Sequence, residues 1–160
     1  MHRSKFLGVT ITDDLSWITH VDNITKKANQ RLYMLRLLVR ARVSIDKLIS
    51  IYLCKIRPVV EYACQVWHGS LGKELAYQLE SVQRRALRII MPDADYKLAL
   101  EIAKIPSLED RRKDLCKKLF VEMQCKDHRL HHLLPPVKVN HSRQRSDFKY
   151  HLTNATHRSC

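Results

Sequence analysis

Glycine is scarce in this chain: three in 160 residues, with five prolines. The three glycines, Gly8, Gly69 and Gly72, lie apart, so no glycine-rich loop exists to cradle a phosphate. Long apolar runs are also missing. Without a stretch of about 18 apolar residues, no membrane span is expected, and the opening MHRSKFLGV lacks the apolar run of a signal peptide. The five cysteines (Cys54, Cys64, Cys116, Cys125 and Cys160) are scattered and form no C-x-x-C pair. Free thiols in a reducing compartment, nucleus or cytoplasm, are the expectation. Acid is the other shortage: 16 Asp and Glu stand against 29 Lys and Arg, a net charge of +13. Such a balance points to a polyanion as partner.

What is present is helical periodicity. From Ser16 to Arg40 the apolar residues Trp17, Val21, Ile24, Ala28, Leu32, Leu35 and Leu38 recur in steps of three and four, the spacing of one helix face. A helix of about 24 residues would run roughly 36 Å. Its opposite face carries Lys26, Lys27, Arg31, Arg36 and Arg40 against one acid, Asp22. The length and composition predict one mainly α domain, a helical bundle with a short N-terminal β-strand and an irregular C-terminal tail.

Residues 5–11, KFLGVTI, read as that strand, and a lone strand leaves its ladder hydrogen bonds unmade. Its partner is therefore expected outside this chain. A second helix is predicted after Ser44, its N-cap, with Leu48, Ile49, Tyr52, Ile56, Val59, Val60 and Ala63 inside and a break or kink at Pro58. A third runs from Lys73 to Ile90, with Leu75, Leu79, Val82, Ala86 and Ile89 inside and Arg84, Arg85 and Arg88 outside. A short helix covers Tyr96 to Lys104. A fifth opens at Ser107-Leu108-Glu109-Asp110, buries Leu108, Leu115, Leu119 and Met123, and turns Arg111, Arg112 and Lys113 outward. The domain plan is residues 1–15 as a strand remnant, 16–134 as the helical body and 135–160 as a basic, disordered tail.

Catalytic patterns are weak. Cys125, His128, His131 and His132 have zinc-like residue types, but no second cysteine pair completes a set, and a polar helix end explains them more simply. His20-Val21-Asp22 has the H-x-D spacing of an iron site. On a helix those two side chains point about 200° apart, so they cannot share a metal. Ser70 sits in no nucleophile elbow. Asp13-Asp14 is better explained by turn chemistry than by Mg²⁺. No metal or cofactor is expected. The remaining signal is basic: Lys26, Lys27, Arg31, Arg36, Arg84, Arg85 and Arg88 are the candidate nucleic-acid contacts, suited to duplex phosphates without base specificity. Trp17, Tyr33, Tyr52, Tyr62 and Trp67 are read as core rather than stacking platforms.

Four successive blocks, KFLGVTITDDLSW, HVDNITKKANQRLYMLRLL, LISIYLCKIRPVVEYACQVWHG and LESVQRRALRII, resemble the region after the palm in reverse transcriptases of non-LTR (LINE-type, Jockey/CR1-like) retrotransposons. The resemblance covers residues 4–125. It implies that Lys5, Leu7 and Gly8 belong to a strand beside the primer grip, and that the helices form a thumb holding an RNA–DNA or DNA duplex. Arg57, Pro58, Glu61, Tyr62 and Trp67 match one motif block, and Gln83, Arg84 and Arg85 another. The family's [FY]-A-D-D turn, which carries the polymerase metals, does not occur in this sequence, so no catalysis by this chain is expected. The block FLGVTITDDLSW…KKANQRLYMLRLL is also similar to an N-terminal segment of AlkB-homologue tRNA-modifying proteins. A decayed, inert fragment is the third expectation.

Overall fold

A computed structural model of the chain describes residues 3–135. The tail expected to be irregular lies, beyond Pro135, outside the described residues. The architecture is mainly helical, as the periodicity predicts. Two short strands, β1 (Arg3–Phe6) and β2 (Val9–Thr12), precede α1 (Ile18–Arg40), α2 (Ile45–Ile51), α3 (Arg57–Glu61), α4 (Cys64–Trp67), α5 (Lys73–Ile90), α6 (Tyr96–Ala103) and α7 (Leu108–Met123). The residues divide into two units, Met1–Lys117 and Lys118–Cys160.

The strand expected to lack a partner has one within the chain. β1 pairs antiparallel with β2, with Arg3 opposite Thr12 and Phe6 opposite Val9. What reads as one strand through Gly8 is a hairpin that turns there. Leu7 and Gly8 both take positive φ, 45° and 85°, as a two-residue primed turn requires. The Tyr62 hydroxyl donates to the Leu7 carbonyl at 2.8 Å, and a Cβ on Gly8 would lie 3.2 Å from the Tyr62 ring. The close approach and the turn conformation together call for glycine.

Scarcity of glycine shows elsewhere too. Leu15, Arg42, Ala63 and Lys104 also take left-handed φ, between 52° and 57°. Arg42 and Lys104 end α1 and α6, where glycine is the ordinary choice. The following amides close the ends, Val43 N–H onto the Leu38 carbonyl and Ile105 N–H onto the Leu100 carbonyl, each at 3.1 Å. Ser44 precedes α2 but makes no side-chain cap. Ser107 does cap: its hydroxyl accepts the Asp110 N–H at 3.1 Å and donates back to the Asp110 carboxylate.

The core of the first unit lies where α1 packs on α5, with the α2–α4 segment against them. From α1 it takes Val21, Ile24, Ala28, Leu32 and Leu35. From the middle segment it takes Leu48, Tyr52, Ile56, Val60 and Cys64, every fourth residue. An α-helix makes a turn every 3.6 residues, so a strict spacing of four drifts round its surface. Residues Tyr52–Ile56 are a π-helical turn, which holds more residues than an α turn and absorbs that drift. Pro58 then sits in the first turn of α3, where its missing N–H does no harm. The chain breaks after Glu61 instead, at Tyr62 and left-handed Ala63. α5 keeps the bounds expected of it and buries Leu79, Val82 and Ala86, and also Gln83, Leu87 and Ile90. Leu75 and Ile89 are half-buried.

A polar chain, buried at Tyr52 and Gln83 and partly buried beyond them, joins these helices. The Tyr52 hydroxyl donates to the Gln83 side-chain carbonyl at 2.6 Å. The Gln83 amide donates to the Tyr96 oxygen at 3.1 Å and to the Pro106 carbonyl at 3.0 Å. Tyr96 in turn donates to Glu80, whose two oxygens accept the Leu108 and Glu109 amides at 3.1 Å. Glu80 therefore caps α7 from another helix. Burial pushes both tyrosines above the usual phenol range.

Arg112, expected to face outward, is fully buried. None of its guanidinium nitrogens has a hydrogen-bond partner among the described residues. Leu108 is buried and Leu115 half-buried. In the second unit, Leu119 and Met123 are half-buried and a short 3₁₀ turn covers His131–Leu133.

Candidate nucleic-acid interface

Each of the seven candidate residues is exposed. Lys26, Lys27, Arg31 and Arg36 lie on α1, and Arg84, Arg85 and Arg88 on α5. Helical spacing separates them from the buried stripe on each helix, so the apolar pattern that builds the core also turns these cations outward. None of the seven makes an ion pair among the described residues. Three cations nearer the middle segment and the start of α7 are paired instead. Arg57 and Arg111 both meet Glu61, at 3.2 and 3.6 Å, and Lys113 meets Glu109 at 2.7 Å.

The seven are not equally available. The Arg31 guanidinium donates to the Lys55 carbonyl, within the π-helical turn. Arg85 folds back on its own helix, donating to the Ser81 carbonyl at 3.2 Å and to the Ser81 hydroxyl at 2.9 Å. Arg84 lies over Tyr96, 4.7 Å from the ring centroid, and over Tyr77 at 5.8 Å. Lys26 borders a groove at the α1–α5 seam, lined also by Thr25, Asn29, Gln30, Asp22 and Gln78. Gln78 donates to Asp22 at 2.7 Å, which ties up the lone acid of that face.

Of the five aromatics expected inside, Tyr52 and Trp67 are buried and Trp17 is half-buried. Tyr33 and Tyr62 are 59% and 52% exposed, a correction to that expectation. Tyr33 falls on the outer side of α1, and Tyr62 leaves the helix at the break before Ala63 to reach the hairpin turn.

His20 is not part of the apolar stripe read from the sequence, yet it lies in the interior. It is buried, with Trp17 and Trp67 edge-on at 6.2 and 5.8 Å. Its Nδ1 accepts the Thr10 N–H at 3.3 Å, which holds β2 to α1. Burial first, then Lys27, keeps its imidazole below the ordinary value of 6.5. His68 is lowered likewise, by burial and then by Arg112. In both cases the unfolded chain binds a proton that the folded chain refuses, so stability is lost as pH falls below about 6.5. The melting temperature is expected to hold between pH 8 and 7 and to fall toward pH 5, with a shallower fall in His20→Gln. A variant that tracks the parent at every pH would remove His20 from the account.

Metal-like residues do not converge. Among the described residues no three of His, Cys, Asp and Glu form a metal-holding group. His128 Nδ1 accepts the Leu130 N–H at 3.2 Å, His131 Nδ1 lies 2.9 Å from the Met123 carbonyl, and Cys125 is exposed. Asp14 accepts the Ser16 N–H at 3.1 Å, in a turn. No helix among the described residues is long and apolar enough to cross a membrane.

The chain has a distant, partial similarity to non-LTR retrotransposon reverse transcriptases. The RNA-directed DNA polymerase from mobile element jockey of Drosophila funebris is 27% identical over 122 residues, which is 73% of this chain and 13% of that protein. The probable RNA-directed DNA polymerase from transposon BS of Drosophila melanogaster is 27% identical over 90 residues, 55% of this chain and 10% of that protein. The chain thus spans only a small part of the length of either relative. A family model described as alkylated DNA repair protein alkB homolog 8, N-terminal, matches residues 17–52, which hold α1 and α2. No solved structure matches.

Proposed function

We propose that this chain is a non-catalytic, thumb-like helical segment of a retrotransposon RNA-directed DNA polymerase, and that α1 and α5 contact the backbone of an RNA–DNA or DNA duplex. The observation that carries this is the set of exposed cations on two packed helices, none of them ion-paired among the described residues. Cations without an acid beside them attract phosphate at the lowest cost, and they release counterions from a duplex when they bind. The jockey and BS relatives supply the family context. The family's [FY]-A-D-D turn does not occur in these 160 residues, so the reading given to this segment is one of holding the duplex.

The test is salt-dependent binding to a fluorescent RNA–DNA hybrid. The logarithm of affinity should fall with the logarithm of salt by about 0.9 per phosphate contact on duplex DNA, less on other strands. Lys26→Gln with Lys27→Gln should flatten that slope by about two contacts and weaken every duplex sequence equally. Folded protein that fails to bind at low salt would favour the decayed-fragment reading.

The match over residues 17–52 favours a second reading, an AlkB-type N-terminal segment. That reading extends to an enzyme only if a metal site exists. Stoichiometric iron or zinc in purified protein, lost in His128→Ala with His131→Ala, would support it.

A further inference from the structure

Arg84 and Arg88 open onto a cavity of about 250 Å³ between α5 and the start of α6. Its floor is apolar, made of the buried Leu87 and Ala99, and the Tyr96 ring forms a wall. Arg84, Arg88 and Asp95 supply its charge. Contact with the Tyr96 and Tyr77 rings fixes the Arg84 guanidinium. Arg88 has no hydrogen-bond or ion-pair partner among the described residues. Asp95 caps α6 with one oxygen, which accepts the Leu98 N–H at 2.7 Å, and keeps the other oxygen free of partners among the described residues.

This mixture is selective. A bare phosphate would gain from the arginines but be repelled by Asp95, and it has no use for the apolar floor. An aliphatic ligand would leave three charged groups unmatched. A planar base with acceptors on one edge and N–H donors on another satisfies all of them. Guanine has that pattern: O6 and N7 accept from arginine, while N1–H and the N2 amino group donate to a carboxylate. Adenine would set its N1 acceptor against Asp95. Pockets for drug-sized ligands run about 300–1,000 Å³, so a cavity of this size suits a single ring system.

We propose that the Arg84–Arg88–Asp95 cavity takes one unpaired guanine base, at the end of a nucleic acid whose backbone α1 and α5 hold. This rests on the duplex-binding reading above. The same guanine chemistry is offered by a strand end or by a free guanine nucleotide, and the assay separates the two.

Fluorescence anisotropy would compare a blunt duplex with the same duplex carrying a single 3′ overhanging G, A, C or T. The G overhang should bind about fivefold or more tighter than the A overhang. Asp95→Asn should abolish that preference while the blunt duplex still binds, as tightly as before or somewhat tighter, since the acid that repels phosphate is gone. Asparagine is as good an N-cap as aspartate, so α6 is retained, and a thermal melt checks this. Competition by free GMP at concentrations comparable to the G-overhang duplex would support the guanine site and assign it to the mononucleotide. Four overhangs that bind equally, with salt-dependent binding intact, would overturn the guanine site and spare the duplex reading. A G preference that survives Asp95→Asn would overturn it too. Loss of all binding in the parent chain would overturn both readings.

Discussion

Trp67→Ala is expected to remove about 3–5 kcal/mol of folding stability, read as a lowered urea midpoint with a broadly similar slope. Whole domains have only about 5–15 kcal/mol to lose, so this one change should bring the chain close to unfolding. Trp67 is fully buried, and its ring packs against the edge of His20. Its indole N–H donates to the Tyr62 carbonyl at 3.1 Å, at the residue where the α3 helix ends and the left-handed Ala63 follows. Alanine would leave a large cavity, an unpaired carbonyl and an unsupported backbone break together. A loss below about 0.5 kcal/mol, the size of an ordinary surface change, would show that the break is held by something else.

Arg112→Met is expected to act in the opposite direction and raise stability by about 1–2 kcal/mol. The guanidinium is fully buried and unpartnered among the described residues, and burial lowers its affinity for the proton it carries. Methionine would keep much of the packing volume and remove the desolvation cost. The acids near Arg112 have other partners: Glu61 has Arg57 and Arg111, Glu80 holds the start of α7, and Glu109 has Lys113. They would not be left as bare buried charges. Chemical denaturation decides the matter. A fall of about 3 kcal/mol or more, the cost of breaking a buried pair, would mean that Arg112 is properly paired in solution.

The helices could be read from the sequence where one face alone is apolar. α5 starts at Lys73 and ends at Ile90, as its spacing indicates, and α1 begins at Ile18, two residues after the expected Ser16. The hairpin was hidden for a local reason. A single glycine inside a β-branched run looks like a strand interior, and nothing in a leucine announces the positive φ that Leu7 adopts. The π-helical turn was hidden because spacing by fours resembles an imperfect α stripe; Pro58 drew the expected break to itself, while the real one fell at Tyr62 and Ala63. Arg112 misled because charge is an outward signal everywhere except where tertiary packing overrides it.

The candidate interface was legible in one respect only. Exposure of Lys26, Lys27, Arg36, Arg84 and Arg88 follows from the helical period. The hydrogen bonds that occupy Arg31 and Arg85 need partners that only the folded chain supplies, Lys55 for one and a particular Ser81 rotamer for the other. Asp95 carries no binding signal in the sequence, because Arg84 and Arg88 line a common cavity with it only once α5 and α6 fold together.

The pairing of α1 with α5 also governs the order in which a ribosome can deliver this fold. The apolar stripe of α1 is complete at Arg40, yet α5, its largest single packing partner, is not finished until Ile90, about 50 residues later. At about 5–20 residues per second, that stripe waits several seconds without its main cover. During that interval the nascent chain presents Leu32 and Leu35 to any chaperone or neighbouring polypeptide within reach, and slower translation across residues 41–90 would lengthen the exposure.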